Sequence, residues 1–81
     1  MNNITYEYYI YLPNTKEYIM ETVDDRIWLK TTDVNDRYTD YCIDRISKVA
    51  KRIANEKNLT INKDIVINGE YTVTYNDKFE V

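Results

Sequence analysis

Three residue types that build most active sites are scarce in this chain of 81 residues. Histidine is absent, and cysteine and glycine occur once each, at Cys42 and Gly69. Without histidine the commonest proton carrier and metal ligand is missing, and neither a Ser-His nor a Cys-His nucleophile pair can form. One cysteine permits no internal disulfide and no thiolate zinc site, and one glycine cannot build a phosphate-binding loop. We therefore predict a protein that is not an enzyme and holds no metal or cofactor.

Long apolar runs are missing too. No stretch of the sequence approaches the roughly 20 apolar residues that cross a bilayer. Residues 1–4 lack the basic and apolar segments of a signal peptide. We expect one cytoplasmic domain over residues 1–81 without a membrane partner, in the host cytoplasm if the chain is phage-encoded. A domain of this size buries only about 60% of its unfolded surface, which leaves little room for a deep pocket.

The clearest strand signal lies in residues 4–12, where β-forming side chains alternate between two faces. One face carries Ile4, Tyr6, Tyr8, Ile10 and Leu12, and the other carries Thr5, Glu7, Tyr9 and Tyr11. The first set contains the aliphatic residues, so we expect it to face the core. Pro13 and Asn14 then end the strand.

Residues 16–23 fit two interpretations. Asn14 and Glu17 could cap a short helix, whereas the alternation of side chains equally suits a second strand. We favour the strand because Asp24 and Asp25 form a plausible turn into a third alternating segment, residues 26–31. Near the C-terminus, Asn68-Gly69 separates two β-rich runs, residues 65–67 and 71–75, and this dipeptide predicts a type I′ hairpin. A short strand over residues 79–81 could follow.

A single helix is expected over residues 34–57, with Thr32 or Asp33 as its N-cap and Asn58 as the left-handed residue after its end. Its apolar stripe would consist of Tyr38, Tyr41, Cys42, Ile46, Val49, Ala50 and Ile53. We expect Cys42 to be a buried, unreactive thiol. The chain thus predicts an α+β fold of the order β-β-β-α-β-β, in which one long amphipathic helix lies across one face of an antiparallel sheet of about five strands. The second face is left for solvent or a partner.

Charge is segregated along the chain. Residues 21–44 carry seven acidic and three basic side chains, a net charge of −4, whereas residues 45–63 carry six basic and one acidic, a net charge of +5. The predicted helix would begin acidic and end basic, which complements its dipole. On that helix Asp36, Asp40 and Asp44 would repeat every four residues, and with Asp33 they form a candidate acidic surface for a basic groove on a protein partner. A divalent metal is less favoured there because further ligands are missing.

Tyrosine is the second unusual feature, with nine residues in the chain. Tyr9 and Tyr11 are expected on the open face of the sheet, and Trp28 on the same exposed side. Such residues dominate the binding energy of many protein interfaces. The alternative is that tyrosine replaces leucine and phenylalanine in a small core and keeps its hydroxyl at the rim.

These observations favour a small module that binds a protein partner. In size and composition the chain resembles phage and mobile-element inhibitors of the anti-CRISPR and DNA-mimic kinds, although no motif is shared and no residue roles carry over. The resemblance implies an inhibitor of a nucleic-acid-handling enzyme that acts by covering its surface. Two alternatives are a nucleic-acid binder that uses Arg45, Lys48, Lys51 and Arg52, and a homo-oligomeric subunit. The acidic net charge of −3 disfavours direct nucleic-acid binding.

Overall fold

The computed structural model describes residues 5–21, 28–76 and 79. These residues form β1 (Tyr8–Leu12), β2 (Glu17–Glu21), β3 (Trp28–Thr31), β4 (Thr39–Asp40), α1 (Ile43–Glu56), β5 (Ile61–Ile67) and β6 (Glu70–Tyr75). The strands make one sheet of order β3-β2-β1-β6-β5, and the short β4 pairs with β1. The α+β prediction is confirmed, with β4 as a sixth strand. Most strand pairs are antiparallel, but β1 and β6 are parallel neighbours at the centre of the sheet.

The core lies between α1 and the two central strands. In β1 the predicted aliphatic face is buried, and in β6 every second residue is buried, as the alternation of the sequence requires. The helix contributes one apolar stripe to the same layer. The largest fully buried side chains among the described residues are Ile10, Ile19, Ile46, Ile53 and Val73. The opposite face of the sheet carries no helix among the described residues, and we call it the open face.

Two turns and one strand agree with the sequence prediction. Residues 17–21 form a strand, not a helix. Asn68 and Gly69 have φ values of 49° and 87°, as a type I′ hairpin needs. A Cβ atom at Gly69 would also stand 3.2 Å from Cβ of Tyr6, a tight contact that adds to the preference for glycine set by its positive φ. Asn58 has a φ of 56° just after α1, as predicted. The predicted turn at Asp24-Asp25 and the residues after Phe79 lie outside the described residues.

The predicted start of the helix is wrong by nine residues (43 instead of 34). Residues 34–36 form one turn of 3₁₀ helix, which Asp33 caps by accepting a hydrogen bond from the backbone N–H of Asn35 at 2.9 Å. Residues 37–40 are extended instead. They pair with the first residues of β1, and the N–H of Tyr38 donates to the carbonyl of Ile19 at 2.9 Å. These long-range hydrogen bonds outweigh the weak helix propensity of residues such as Tyr38 and Thr39.

The prediction that Trp28 is exposed is also wrong, because its side chain is only 3% exposed. The register of β2 and β3 pairs Ile19 with Lys30 and Glu21 with Trp28, so Trp28 shares the covered face with the buried Ile19. Its ring packs edge-on against Tyr38 at a centroid distance of 5.8 Å.

Cys42 is half-buried as the N-cap of α1, and it does not lie in the apolar stripe. Within the described residues, no helix has the length and apolarity that a membrane crossing requires.

Candidate interface on the open sheet face

The four candidate acidic residues do not form a helical stripe. Asp33 caps the 3₁₀ turn and Asp36 is its last residue, Asp40 lies in β4, and only Asp44 belongs to the first turn of α1. The spacing of four residues therefore does not place these carboxylates on one face of a helix, because the chain from Asp33 to Asp40 is not α-helical. Asp33, Asp36 and Asp44 are exposed, whereas the side chain of Asp40 is only 12% exposed.

The side chain of Asp40 is engaged in hydrogen bonds within the protein. Its carboxylate accepts hydrogen bonds from Nε of Arg45 at 2.9 Å, from the backbone N–H of Cys42 at 2.8 Å and from the hydroxyl of Tyr38 at 3.0 Å. The guanidinium of Arg45 and the other donors hold the pKa of Asp40 well below its usual range. Cys42, the N-cap of α1, makes no side-chain capping bond, so Asp40 is the group that secures the start of the helix.

We therefore expect Asp40→Asn to destabilise the protein at neutral pH, and to do so by a smaller amount at pH 3. The native pKa is lower than the unfolded value of about 3.9, so the carboxylate stabilises the fold fully above about pH 5. That contribution is lost as the pH falls towards the native pKa. Urea unfolding of wild type and variant between pH 7 and pH 3 would measure this convergence. Asp36→Asn, which leaves Asp40 intact, is the matched control. A difference between Asp40→Asn and wild type that persists unchanged at pH 3 would contradict this role.

Three tyrosines form a connected cluster on the open face. The register pairs Tyr11 with Tyr18, and Tyr9 precedes Tyr11 by two residues, so all three share one face. The ring centroids of Tyr9 and Tyr18 are 5.5 Å apart, and those of Tyr11 and Tyr18 are 5.2 Å apart. All three residues are half-buried, which means that each ring packs on a neighbour and keeps part of its surface exposed. The prediction for Tyr9 and Tyr11 is thus confirmed as to their face.

Arg37 completes this cluster, and the sequence analysis did not identify it. The extended segment 37–40 lies beside the start of β1 and places the guanidinium carbon of Arg37 4.1 Å from the ring centroid of Tyr9 and 5.5 Å from that of Tyr18. Cations at such distances are attracted to the aromatic face. We call Tyr9, Tyr11, Tyr18 and Arg37 the tyrosine–arginine platform. The one available signal was that Arg37 is the single basic residue between Asp33 and Asp44.

The charge of Arg37 is left without an anionic partner in the described part of the chain. No ion pair forms there between Arg37 and a carboxylate, and its Nε is buried without a hydrogen-bond acceptor. Glu70, an acid on the same face, is engaged elsewhere, since its Oε2 accepts a hydrogen bond from the hydroxyl of Tyr9 at 2.7 Å. Burial, followed by this bond to Glu70, raises the pKa of Tyr9 to about 12, so Tyr9 stays neutral at physiological pH. Among the described residues, Arg37 therefore has no carboxylate acceptor.

Apolar side chains also lie on the open face towards both edges of the sheet, although β6, with Glu70 and Thr72, separates the platform from those of β5. The β2–β3 register places Met20 and Leu29 on the same face as Tyr18, and both are half-buried. On the other side, β5 contributes Ile65 and Ile67, which are 37% and 63% exposed. The open face therefore combines a central aromatic cluster and one cation with apolar side chains on the outer strands. Protein interfaces are enriched in these residue types.

Two of the four basic side chains of α1 already form ion pairs within the protein. Arg45 is paired with Asp40, and Arg52 donates to Glu56 at 3.1 Å one turn further along the helix. Lys48 and Lys51 are exposed, and neither takes part in an ion pair among the residues described. Two lysines give a weak electrostatic grip on a phosphate backbone.

Within the described residues, no three acidic or cysteine side chains converge closely enough to hold a metal ion. Comparison of the chain with protein-family models, with curated proteins and with solved structures finds no match. The geometry of the open face is therefore the basis on which a function can be argued.

Proposed function

We propose that this protein is a non-enzymatic binding module that covers the surface of a protein partner with its open sheet face. The observation that carries the proposal is Arg37, a cation held against two tyrosine rings without an anionic acceptor of its own among the described residues. The complementary partner surface would present a carboxylate to Arg37 and apolar side chains to the surrounding tyrosines. Charge-assisted hydrogen bonds of this kind are stronger than neutral ones.

The platform is suited to binding because it is already ordered. Tyr9 is fixed by its hydrogen bond to Glu70, and Tyr18 is packed between Tyr9 and Tyr11. A side chain that is held in place before association loses less conformational entropy when a partner arrives. Tyrosine and arginine are also the types that most often carry the binding energy of an interface.

We propose further that the partner is a nucleic-acid-handling enzyme that the module inhibits. This finer proposal is supported by the net charge of −3 and by the exposed carboxylates of Asp33, Asp36 and Asp44. Those carboxylates could meet a basic rim beside the main contact, where charges affect the association rate more than the affinity. Asp40 and Trp28 are not part of this interface, since both are committed to the fold.

The test is affinity capture from a lysate of the native host with three purified variants. Tyr11→Ala combined with Tyr18→Ala removes the aromatic cluster, and Lys48→Ala combined with Lys51→Ala is the matched control on the outer face of α1. A third variant replaces Asp33, Asp36 and Asp44 with asparagine. We expect the tyrosine variant to lose the partner captured by wild type, by about tenfold or more, while the lysine control retains it.

The variant with three asparagines tests the contribution of the carboxylates separately from that of the open face. Retained capture with slower association at low salt places the carboxylates at the rim. Capture that survives loss of both tyrosines and disappears with the three carboxylates would overturn the assignment to the open face. Circular dichroism of each variant verifies that the fold is unchanged.

A further inference from the structure

The strand β5 is an unprotected edge of the sheet. It stands last in the strand order, pairs with β6 on one side, and meets no other described strand on the other. The helix packs mainly on β1, β4 and β6. Every residue of β5 after Ile61 is exposed. An edge of this kind presents free backbone N–H and C=O groups to any strand of matching geometry.

The two halves of β5 differ in how well they resist pairing. The first half contains a backbone irregularity between Ile61 and Lys63, followed by the charges of Lys63 and Asp64. Bulges and charged side chains are the usual devices that protect an edge. The second half, Ile65, Val66 and Ile67, has neither, and these apolar residues are 37%, 38% and 63% exposed. The apolar half therefore defines where a second strand would add.

The hairpin determines which backbone groups are free. Ile67 and Glu70 flank the two-residue turn and face each other in the ladder. Residues in this position exchange hydrogen bonds in a two-residue hairpin, and hydrogen-bonded pairs alternate with non-bonded ones. Val66, one residue earlier, consequently directs its N–H and C=O away from β6, towards the open edge.

From this edge we infer that two copies of the chain associate through antiparallel pairing of β5, about a twofold axis at Val66. Val66 of each copy then exchanges both backbone hydrogen bonds with Val66 of the other, and Ile65 faces Ile67. A register centred on Asp64 would set two like charges opposite each other, which is unfavourable. In the register centred on Val66 the apolar residues 65–67 of the two copies face one another, Asp64 lies opposite the uncharged Asn68, and the two sheets become one continuous sheet.

Charge is also compatible with this arrangement. Lys63 shares the face of Ile65 and Ile67, and in the register centred on Val66 it lies opposite the hairpin turn of the second copy. The closest charged residue on that face after the turn is Glu70. Each end of the joined strands thus brings a lysine towards an acidic neighbour.

The single cysteine makes a direct test possible. Cys42→Ser removes the native thiol, and serine is a good residue at an N-cap. In that background Val66→Cys should form a disulfide-linked dimer under mild oxidation, because directly opposed residues of a hydrogen-bonded pair have Cα atoms about 5.5 Å apart. Lys63→Cys is the matched control in the protected half of the strand, and it should form no disulfide-linked dimer, because in this register the two cysteines do not face each other.

Analytical ultracentrifugation supplies a second measurement that needs no cysteine. Wild type should show a concentration-dependent dimer, and Val66→Lys should raise its dissociation constant by about tenfold or more, since two charges would meet at the axis. A wild-type monomer at every concentration up to the millimolar range would overturn the inference. Equal crosslinking at positions 63 and 66, or stronger crosslinking of Ile65→Cys than of Val66→Cys, would also overturn it.

Discussion

Replacing Trp28 with alanine is expected to lower the free energy of unfolding by about 3–5 kcal/mol, the usual cost of removing a large buried aromatic side chain. Trp28 is 3% exposed and packs edge-on against Tyr38 within the core cluster. Domains have a total stability of only about 5–15 kcal/mol, so the variant should be largely unfolded at moderate urea concentrations. Chemical unfolding followed by far-ultraviolet circular dichroism would measure the loss.

A second substitution separates size from polarity at this site. The indole Nε1 of Trp28 is buried and has no hydrogen-bond acceptor among the described residues. Trp28→Phe keeps an aromatic ring and removes the unsatisfied donor, so it should cost less than the alanine variant. If Trp28→Ala changed the stability by less than about 0.5 kcal/mol, as exposed positions do, then Trp28 would belong to the surface after all.

The largest expected effect on binding is at Arg37. With the purified partner, Arg37→Gln should weaken the affinity by about 30-fold, which corresponds to roughly 2 kcal/mol. The glutamine loses the charge and most of the stacking on Tyr9 and Tyr18. Arg37→Lys keeps the charge without the planar fork and should be intermediate. Isothermal titration calorimetry would measure all three dissociation constants.

The matched control for Arg37 is Lys51→Gln, which removes the same charge from the exposed face of α1. We expect it to change the affinity by less than about twofold, because a charge away from the contact contributes little. Both variants should unfold close to the wild-type temperature, since a partly exposed cation–π contact stabilises by only about 0.5–1 kcal/mol. If Arg37→Gln bound the partner with wild-type affinity, the platform could not be part of the interface.

Local patterns in the sequence were sufficient for most of the fold. The alternation in residues 4–12 identified which side chains of β1 share a face, and Asn68-Gly69 identified the hairpin, because both signals depend on neighbours in the chain. The position of Trp28 shows the limit of such a pattern. Alternation states which residues point the same way, whereas the covered face depends on where the helix packs.

The predicted start of the helix was wrong for a related reason. Asp36, Asp40 and Asp44 have helical spacing, but residues 37–40 gain more from pairing with β1 than from an isolated turn of helix. That pairing joins segments far apart in the chain, and no local propensity encodes it. The same long-range contact brings Arg37 onto Tyr9 and Tyr18. The tyrosines of the site could therefore be predicted from the sequence, and the arginine that gives the site its charge could not.

The most direct test of the central claim is an amide chemical-shift map of the isotopically labelled protein as the captured partner is added. We expect the shifts to concentrate on the strands of the open face, at Tyr9, Tyr11, Tyr18 and Arg37, and at Thr72 of β6, which pairs with Tyr11. The outer face of α1, at Lys48 and Lys51, should remain unchanged. Shifts confined to α1, or to the 3₁₀ turn at Val34–Asp36, would contradict binding through the open sheet face.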